Sequence, residues 1–516
     1  MVLPQAGLVL GTVIIFASNI VTLITALSMC AISTNGEVKG GGAYYLISRA
    51  LGASYGGYVS HCIWRPVAAP TAHGCLFLRR GASAIGLLFF LAQAVAASMY
   101  VVGFAESVVD IYKRGGAEAF TGSWDNDLRV IGLVTLLVLL CVALVGVGWY
   151  AKCQIFLLVF LVVAMISVVI GAFFPEVPSK DGNADLGFVG FDGIRNVGSQ
   201  FTTDTSTKID NGFFSVFAVF FPAVTGIMAG ANMSGDLKDP SVAIPKGTLY
   251  GIALTWVTYV GLLWIVGSVA VRCVGPACDD VGYGTSAWAD SVGSREPEGG
   301  LVYNKLIMAQ ISLWEPLVYI GVFAATLSSA LASIVGAPRI LQAVAKDEIF
   351  DFQAINFFAQ GVGKEGEPRR GYFLTWVIAM GCVLIGELDL IAPLISNFFM
   401  ISYAMTNYAC FAASMSKAPG WRPSFKYYNK WLSLFGSLLC LAVMFAFDWA
   451  NSLVSVVVGV GIFQYLEWRG VERDWGAACT CMLSPWRCAC VVVCLTHGHV
   501  CMPSSLQPTR VDTSAP

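Results

Sequence analysis

The stretch Phe220-Phe221-Pro222-Ala223-Val224-Thr225-Gly226-Ile227-Met228-Ala229-Gly230-Ala231-Asn232 lies in the middle of an apolar segment. Proline lacks a backbone donor and glycine lowers helix propensity, so the helix is expected to break here. At mid-membrane depth, irregular backbone is tolerated only where protein buries it or a cavity receives it. Freed N–H groups then suit anions, and freed carbonyls suit cations. A simple proline kink accounts for the same residues. Further along, Thr326-Leu327-Ser328-Ser329-Ala330-Leu331-Ala332-Ser333 follows Ala325, and Ala325, Ser328 and Ser329, at i, i+3 and i+4, share one helix face. Their oxygens suit a small hard cation, although small residues also serve close helix packing. Tyr100 and Tyr403, each inside an apolar span, are either core aromatics or hydroxyls aimed at an ion.

The elements that must hold these residues are membrane spans. Of 516 residues, 57% are hydrophobic and only 12% charged, against about a quarter charged in soluble domains. A net charge of -2 gives no basic field for nucleic acid, and such hydrophobicity excludes disorder. Sixteen cysteines in a chain this long and apolar do not make a disulfide scaffold. About eleven apolar runs reach bilayer length, near 7–33, 84–112, 128–148, 153–174, 213–235, 248–272, 314–337, 371–387, 390–413, 431–447 and 449–466. Lys and Arg concentrate in alternate loops, among them Lys238, Lys246, Arg339 and Lys346, and these loops are expected to be cytoplasmic. Lys39-Gly40-Gly41-Gly42 and Gly361-Val362-Gly363-Lys364 lack the strand and spacing of a phosphate loop. Asn232-Met233-Ser234 fits a glycosylation acceptor but lies at the inner end of a span. The terminal cysteines and histidines, Cys479 to Cys501, match no standard zinc spacing.

Longer motifs resemble the cation-chloride cotransporter family. They are Asn35 to Arg49 (NGEVKGGGAYYLISR), Met99 to Glu106 (MYVVGFAE), Phe221 to Lys246, Thr326 to Asp347, and Pro419-Gly420-Trp421-Arg422-Pro423. The resemblance covers about 7–57 and 84–478. It implies an all-α polytopic membrane protein with a LeuT-like inverted repeat of five plus five helices and two more. By resemblance, Tyr100, Pro222 and Thr225 match a potassium site. Gly226, Ile227, Met228 and Tyr403 match a chloride site, and Ala325, Ser328 and Ser329 a sodium site. Potassium-chloride members lack the paired serines and sodium-chloride members carry histidine at the Tyr100 position, so the sodium-potassium-chloride branch is the nearest match.

The implied function is secondary active symport of sodium and/or potassium with chloride across a lipid bilayer, the plasma membrane or another membrane, with a homodimer allowed. No enzyme activity, catalytic residue, cofactor, structural metal or nucleic-acid partner is expected. Two alternatives remain: an amino-acid permease of the same superfamily, and a non-transporting truncated membrane protein. The family's first span precedes the residues matching Gln5-Ala6-Gly7, so the expected fold lacks its first helix. The division expected is 1–57, a first retained span and a re-entrant cytoplasmic loop; 58–83, a divergent insert; 84–478, the remaining transporter domain; and 479–516, a divergent Cys-rich tail. Insert and tail together hold all four histidines and eight of the sixteen cysteines. They read either as a lineage-specific metal loop or as translated non-coding sequence.

Overall fold

In lipid, every backbone N–H and C=O must find a partner inside the protein, which makes long apolar runs fold as helices. The computed structural model describes residues 2–36, 41–50, 72–174, 196–201, 212–270, 272, 301–302, 306–347, 353–362, 366–385, 388–416, 421–469, 478–481 and 490–493. Within them run α1 (Val2–Ser33), α2 (Gly42–Ala50), α3 (Ala72–Arg114), α4 (Trp124–Val145), α5 (Val147–Gly171) and α6 (Phe213–Phe220). A 3-10 helix (Phe221–Met228) leads into α7 (Ala229–Asn232) and α8 (Pro240–Val269). Then follow α9 (Ile307–Ile311), α10 (Glu315–Lys346), α11 (Gln353–Asn356), α12 (Arg369–Ile385), α13 (Leu388–Ser416), α14 (Lys430–Phe447) and α15 (Trp449–Arg469). A short antiparallel ribbon pairs β1 (Ala478–Cys481) with β2 (Cys490–Val493).

Among the described residues, eight helical segments are long and apolar enough to cross a membrane. They lie in α1, α3, α4, α5, the α6–α7 segment, α8, α10 and α14. The other three expected spans, in α12, α13 and α15, are helical but do not meet the same measure of length and apolarity over the described residues. The outer helices leave apolar side chains uncovered, such as Val134 on α4, Ile155 and Phe156 on α5, and Leu254 and Val257 on α8. Facing water, such a surface would drive association; facing acyl chains, it is at home.

Two features differ from the sequence reading. α3 begins at Ala72, ahead of the span expected from residue 84, so the last part of the 58–83 stretch is helical. Its first part, residues 58–71, lies outside the described residues, as do 482–489 and 494–516 of the tail. In α1, Gly7 interrupts the helix at φ 67 and ψ −170. The released backbone pairs sideways: Leu8 N–H donates to the Asn196 carbonyl (2.8 Å) and Gln200 N–H to the Gln5 carbonyl (2.9 Å). A Cβ at Gly7 would lie 2.2 Å from the Gly198 carbonyl oxygen, so only glycine fits both the dihedral and the gap.

The main core is built by α1, α2, α3, α10, α13 and α14 around the 3-10 helix, with Phe89, Phe221, Met400 and Tyr403 all essentially inaccessible. A second core joins α3, α4, α10 and α12 through Val101, Leu136, Ile334 and Val383. The glycine run before α2 has a packing role. Gly42 (φ +63) meets Asn232 so closely that a Cβ would lie 2.5 Å from its side-chain oxygen. Asn232 itself is 3% exposed, buried against this turn. Tyr44, on α2, donates its hydroxyl to Asp347 Oδ2 at 2.6 Å and so ties α2 to the end of α10.

Candidate functional site

Pro222 decides the local backbone. It has no N–H to offer the Ala218 carbonyl, so the α-helical ladder cannot pass through it. The chain does not open, however: from Phe221 to Met228 it tightens to a 3-10 helix and returns to α-helix at Ala229. The expected break is therefore a change of pitch. In that geometry N–H groups bond carbonyls three residues back, which commits the N–H groups of Gly226, Ile227 and Met228 within the turn. Gly226 and Ala223 face outward and Thr225, Pro222, Ile227 and Met228 inward, the three-residue repeat of the tighter helix. Phe217 and Phe221 fix its start by packing on Phe447, with centroids 4.9 and 5.5 Å away.

Hydroxyls converge on this turn from three directions. Tyr403, on α13 and fully buried, donates to the Thr225 carbonyl. Thr225 Oγ1 donates to the Pro222 carbonyl at 2.8 Å. Tyr259, on α8, donates to the Ala223 carbonyl at 3.1 Å. Tyr100, on α3, brings its phenol to the Thr225 side chain and lies within electrostatic reach of Tyr259 and Tyr403. Tyr100, Pro222, Thr225 and Tyr403 are thus brought together, along with the backbone of Gly226, Ile227 and Met228. A cavity of about 410 Å³ opens on the outward face of the turn, lined by Asn19 and Thr22 of α1 and by Gly226, Thr248, Thr255 and Tyr259.

Ala325, Ser328 and Ser329 form a second locus on α10, all three half-buried. Ser328 Oγ donates to the Ala325 carbonyl at 3.0 Å, leaving its lone pairs free to accept. Gln154 Nε2 of α5 donates to the Ser328 carbonyl at 2.9 Å. Gln154 and Tyr259 are the neighbours that the sequence reading missed. The signal was present: Gln154 is an amide within the apolar run from residue 153, and Tyr259 is a tyrosine inside a span, like Tyr100 and Tyr403.

Below the 3-10 turn, Asp236 and Arg339 form an ion pair between the segment after α7 and α10. Arg339 also reaches Met233 Sδ at 3.3 Å. Among the described residues, no group of three or more His, Cys, Asp or Glu side chains gathers as a metal site would require.

The sequence profile of the amino acid permease family matches residues 1–495. Solute carrier family 12 member 1 of Mus musculus is 43% identical over 496 residues, covering 92% of this chain and 41% of that protein. Solute carrier family 12 member 2 of Homo sapiens is 44% identical over 493 residues, covering 92% and 37%. The member 2 protein of Squalus acanthias is 42% identical over 494 residues, covering 92% and 38%. The chain thus spans about two fifths of the length of the curated relatives it matches. With its apolar helices, this makes it an integral, multi-pass membrane protein. The chain belongs to the amino acid permease family, and its likeness to solute carrier family 12 members agrees with the cation-chloride cotransporter motifs in its sequence.

Proposed function

We propose that the chain carries out secondary active symport of sodium and potassium with chloride. The observation that carries this reading is the gathering of Tyr100, Thr225 and Tyr403 on the 3-10 turn of an interrupted span. Neutral oxygens of this kind replace a cation's water without adding a buried charge, and phenol and backbone donors do the same for an anion. In this reading Tyr100, Pro222 and Thr225 serve potassium, while Tyr403 and the backbone of Gly226, Ile227 and Met228 serve chloride. Because those three N–H groups are engaged inside the 3-10 turn, holding chloride requires that turn to loosen. Ala325, Ser328 and Ser329 serve sodium on α10. The likeness to proteins named as solute carriers supports a carrier over an enzyme.

The test is uptake of labelled rubidium, a potassium substitute, by cells expressing the protein. Uptake that needs both sodium and chloride supports the proposal. Uptake indifferent to sodium removes the sodium assignment. Uptake of labelled amino acids in place of rubidium would favour the permease alternative.

A further inference from the structure

The hydroxyls around the 3-10 turn are spent on the turn's own carbonyls. Tyr403 donates to Thr225, Thr225 to Pro222, and Tyr259 to Ala223. A carbonyl capped by a hydroxyl proton has that lone pair closed to a cation. A hydroxyl donating to a carbonyl has no proton left for an anion, since a phenol or alcohol carries only one. Cation and anion therefore compete with the same internal bond from its two ends.

We propose that Tyr403 is the residue that couples cation to anion: its single hydroxyl proton serves either the Thr225 carbonyl or a bound anion, so the anion's arrival frees that carbonyl for a cation. This rests on the symport reading above and adds to it the device by which one ion recruits the other. Among the phenols of the cluster, Tyr403 is suited to the role by burial. It is 0% exposed, whereas Tyr259 is only half-buried where it lines the cavity. With no water to replace it, breaking the Tyr403–Thr225 bond leaves a bare phenol donor and takes from the Thr225 carbonyl one of its two partners, the other being the Met228 N–H of the turn. An anion alone satisfies the donor and leaves one lone pair of the carbonyl empty. A cation alone satisfies the carbonyl and strands the phenol. Both together satisfy both, so each binds more tightly in the presence of the other, and by the same factor. Tyr403 needs no large movement. Its ring stays packed against Phe399 (centroids 6.1 Å apart) while the hydroxyl hydrogen rotates about the C–O bond.

The readout is equilibrium binding of labelled rubidium to the purified full chain, in chloride and in gluconate, a bulky organic anion. The ratio of half-saturating rubidium concentrations in the two media measures the coupling. For the native chain, stranding one buried partner predicts a ratio of about ten. Tyr403→Phe, which has no proton to withhold, should bring the ratio to within about twofold of one, by tightening rubidium binding in gluconate. Replacing Tyr403 with 4-aminophenylalanine supplies two N–H protons, enough for carbonyl and anion at once. The ratio should again fall toward one while chloride is still bound. Attraction between the two ions alone would leave the ratio unchanged in both variants, and that result overturns the proposal. So does a Tyr403→Phe protein whose ratio falls because rubidium binding in gluconate weakens. A native chain that binds rubidium with a ratio of one overturns the coupling but leaves the symport reading standing. A native chain that binds no rubidium in either anion removes the symport reading itself.

Discussion

Replacing Ser328 with alanine tests the proposed sodium locus at the atom most clearly arranged for it. The Ser328 hydroxyl donates backwards to the Ala325 carbonyl at 3.0 Å, so its lone pairs point away from that bond and remain available. Its own carbonyl is held by Gln154 at 2.9 Å, which fixes this part of α10 against α5. Alanine removes one of three proposed oxygen ligands and leaves that anchor in place. A hydrogen bond or ligand contact to a charged group contributes about 1.5–3 kcal/mol. The lower end applies here for two reasons. The face is half-buried, so water can fill the vacated position. The Ala325 carbonyl, released from the serine hydroxyl, also becomes a better ligand. A loss of about 1.5 kcal/mol corresponds to a rise of roughly tenfold in the sodium concentration giving half-maximal uptake. The assay is rubidium uptake against sodium at saturating potassium and chloride. The potassium and chloride curves should each move by less than about twofold, because Ser328 bonds Ala325 and Gln154 rather than the residues proposed for those ions. Threonine at 328 keeps the hydroxyl and should recover most of the sodium affinity. An unchanged sodium curve in Ser328→Ala, or an equal shift in all three ions, would refute the assignment.

Tyr100→His replaces a neutral phenol beside Thr225 with a base that protonates near neutral pH, so it should weaken rubidium affinity more than chloride affinity. Equal affinities in variant and native chain would take Tyr100 out of the potassium site. Gly86→Ala would bring a Cβ within 2.4 Å of the Tyr44 ring and 2.8 Å of Val344. It should cost about 1–3 kcal/mol, seen as an earlier melting transition of the detergent-solubilised protein, and a native melting curve would show that the α2–α3 packing is looser than described. Asp236→Asn breaks an ion pair whose partners are 12% and 32% exposed. Lying between exposed and buried pairs, it should lose about 2 kcal/mol, and melting unaffected by both the mutation and high salt would show the pair to be energetically idle.

The spans were legible in the sequence because their signal is one-dimensional: a run of apolar residues long enough for a bilayer has few other uses. The all-α, LeuT-like class follows from those runs and the family motifs together. Pro222 and Gly226 marked where the α-helix stops. They did not say that the chain would tighten to a 3-10 helix, because that depends on neighbours supplying hydroxyls to its carbonyls. Those neighbours are remote: Tyr403 lies 178 residues from Thr225, and Gln154 lies 174 from Ser328. The Gly7 interruption was hidden for the same reason. One glycine in an apolar run is ordinary, and what singles this one out is the segment 196–200 passing beside it. The start of α3 at Ala72 was obscured by composition, since His73, Arg79 and Arg80 disguise a helix that continues outward from an apolar span.

The closed hydroxyl–carbonyl bonds also bear on why such a site can release what it binds. An ion cage of orphaned carbonyls in the membrane would be costly when empty, because each unsatisfied group forfeits its hydration. It would then bind its ion too tightly to let go. At the 3-10 turn these carbonyls are already satisfied by Tyr403, Thr225 and Tyr259, so in the proposed site ion binding would exchange one set of bonds for another. The net affinity is the small difference between those sets. A carrier must load on one face and unload on the other, and a small difference meets both needs. The same reasoning explains why tyrosine and threonine suit these positions better than aspartate or glutamate. A carboxylate would hold the cation by full charge, would have no proton to cap a carbonyl in the empty state, and would repel the anion that must travel with it.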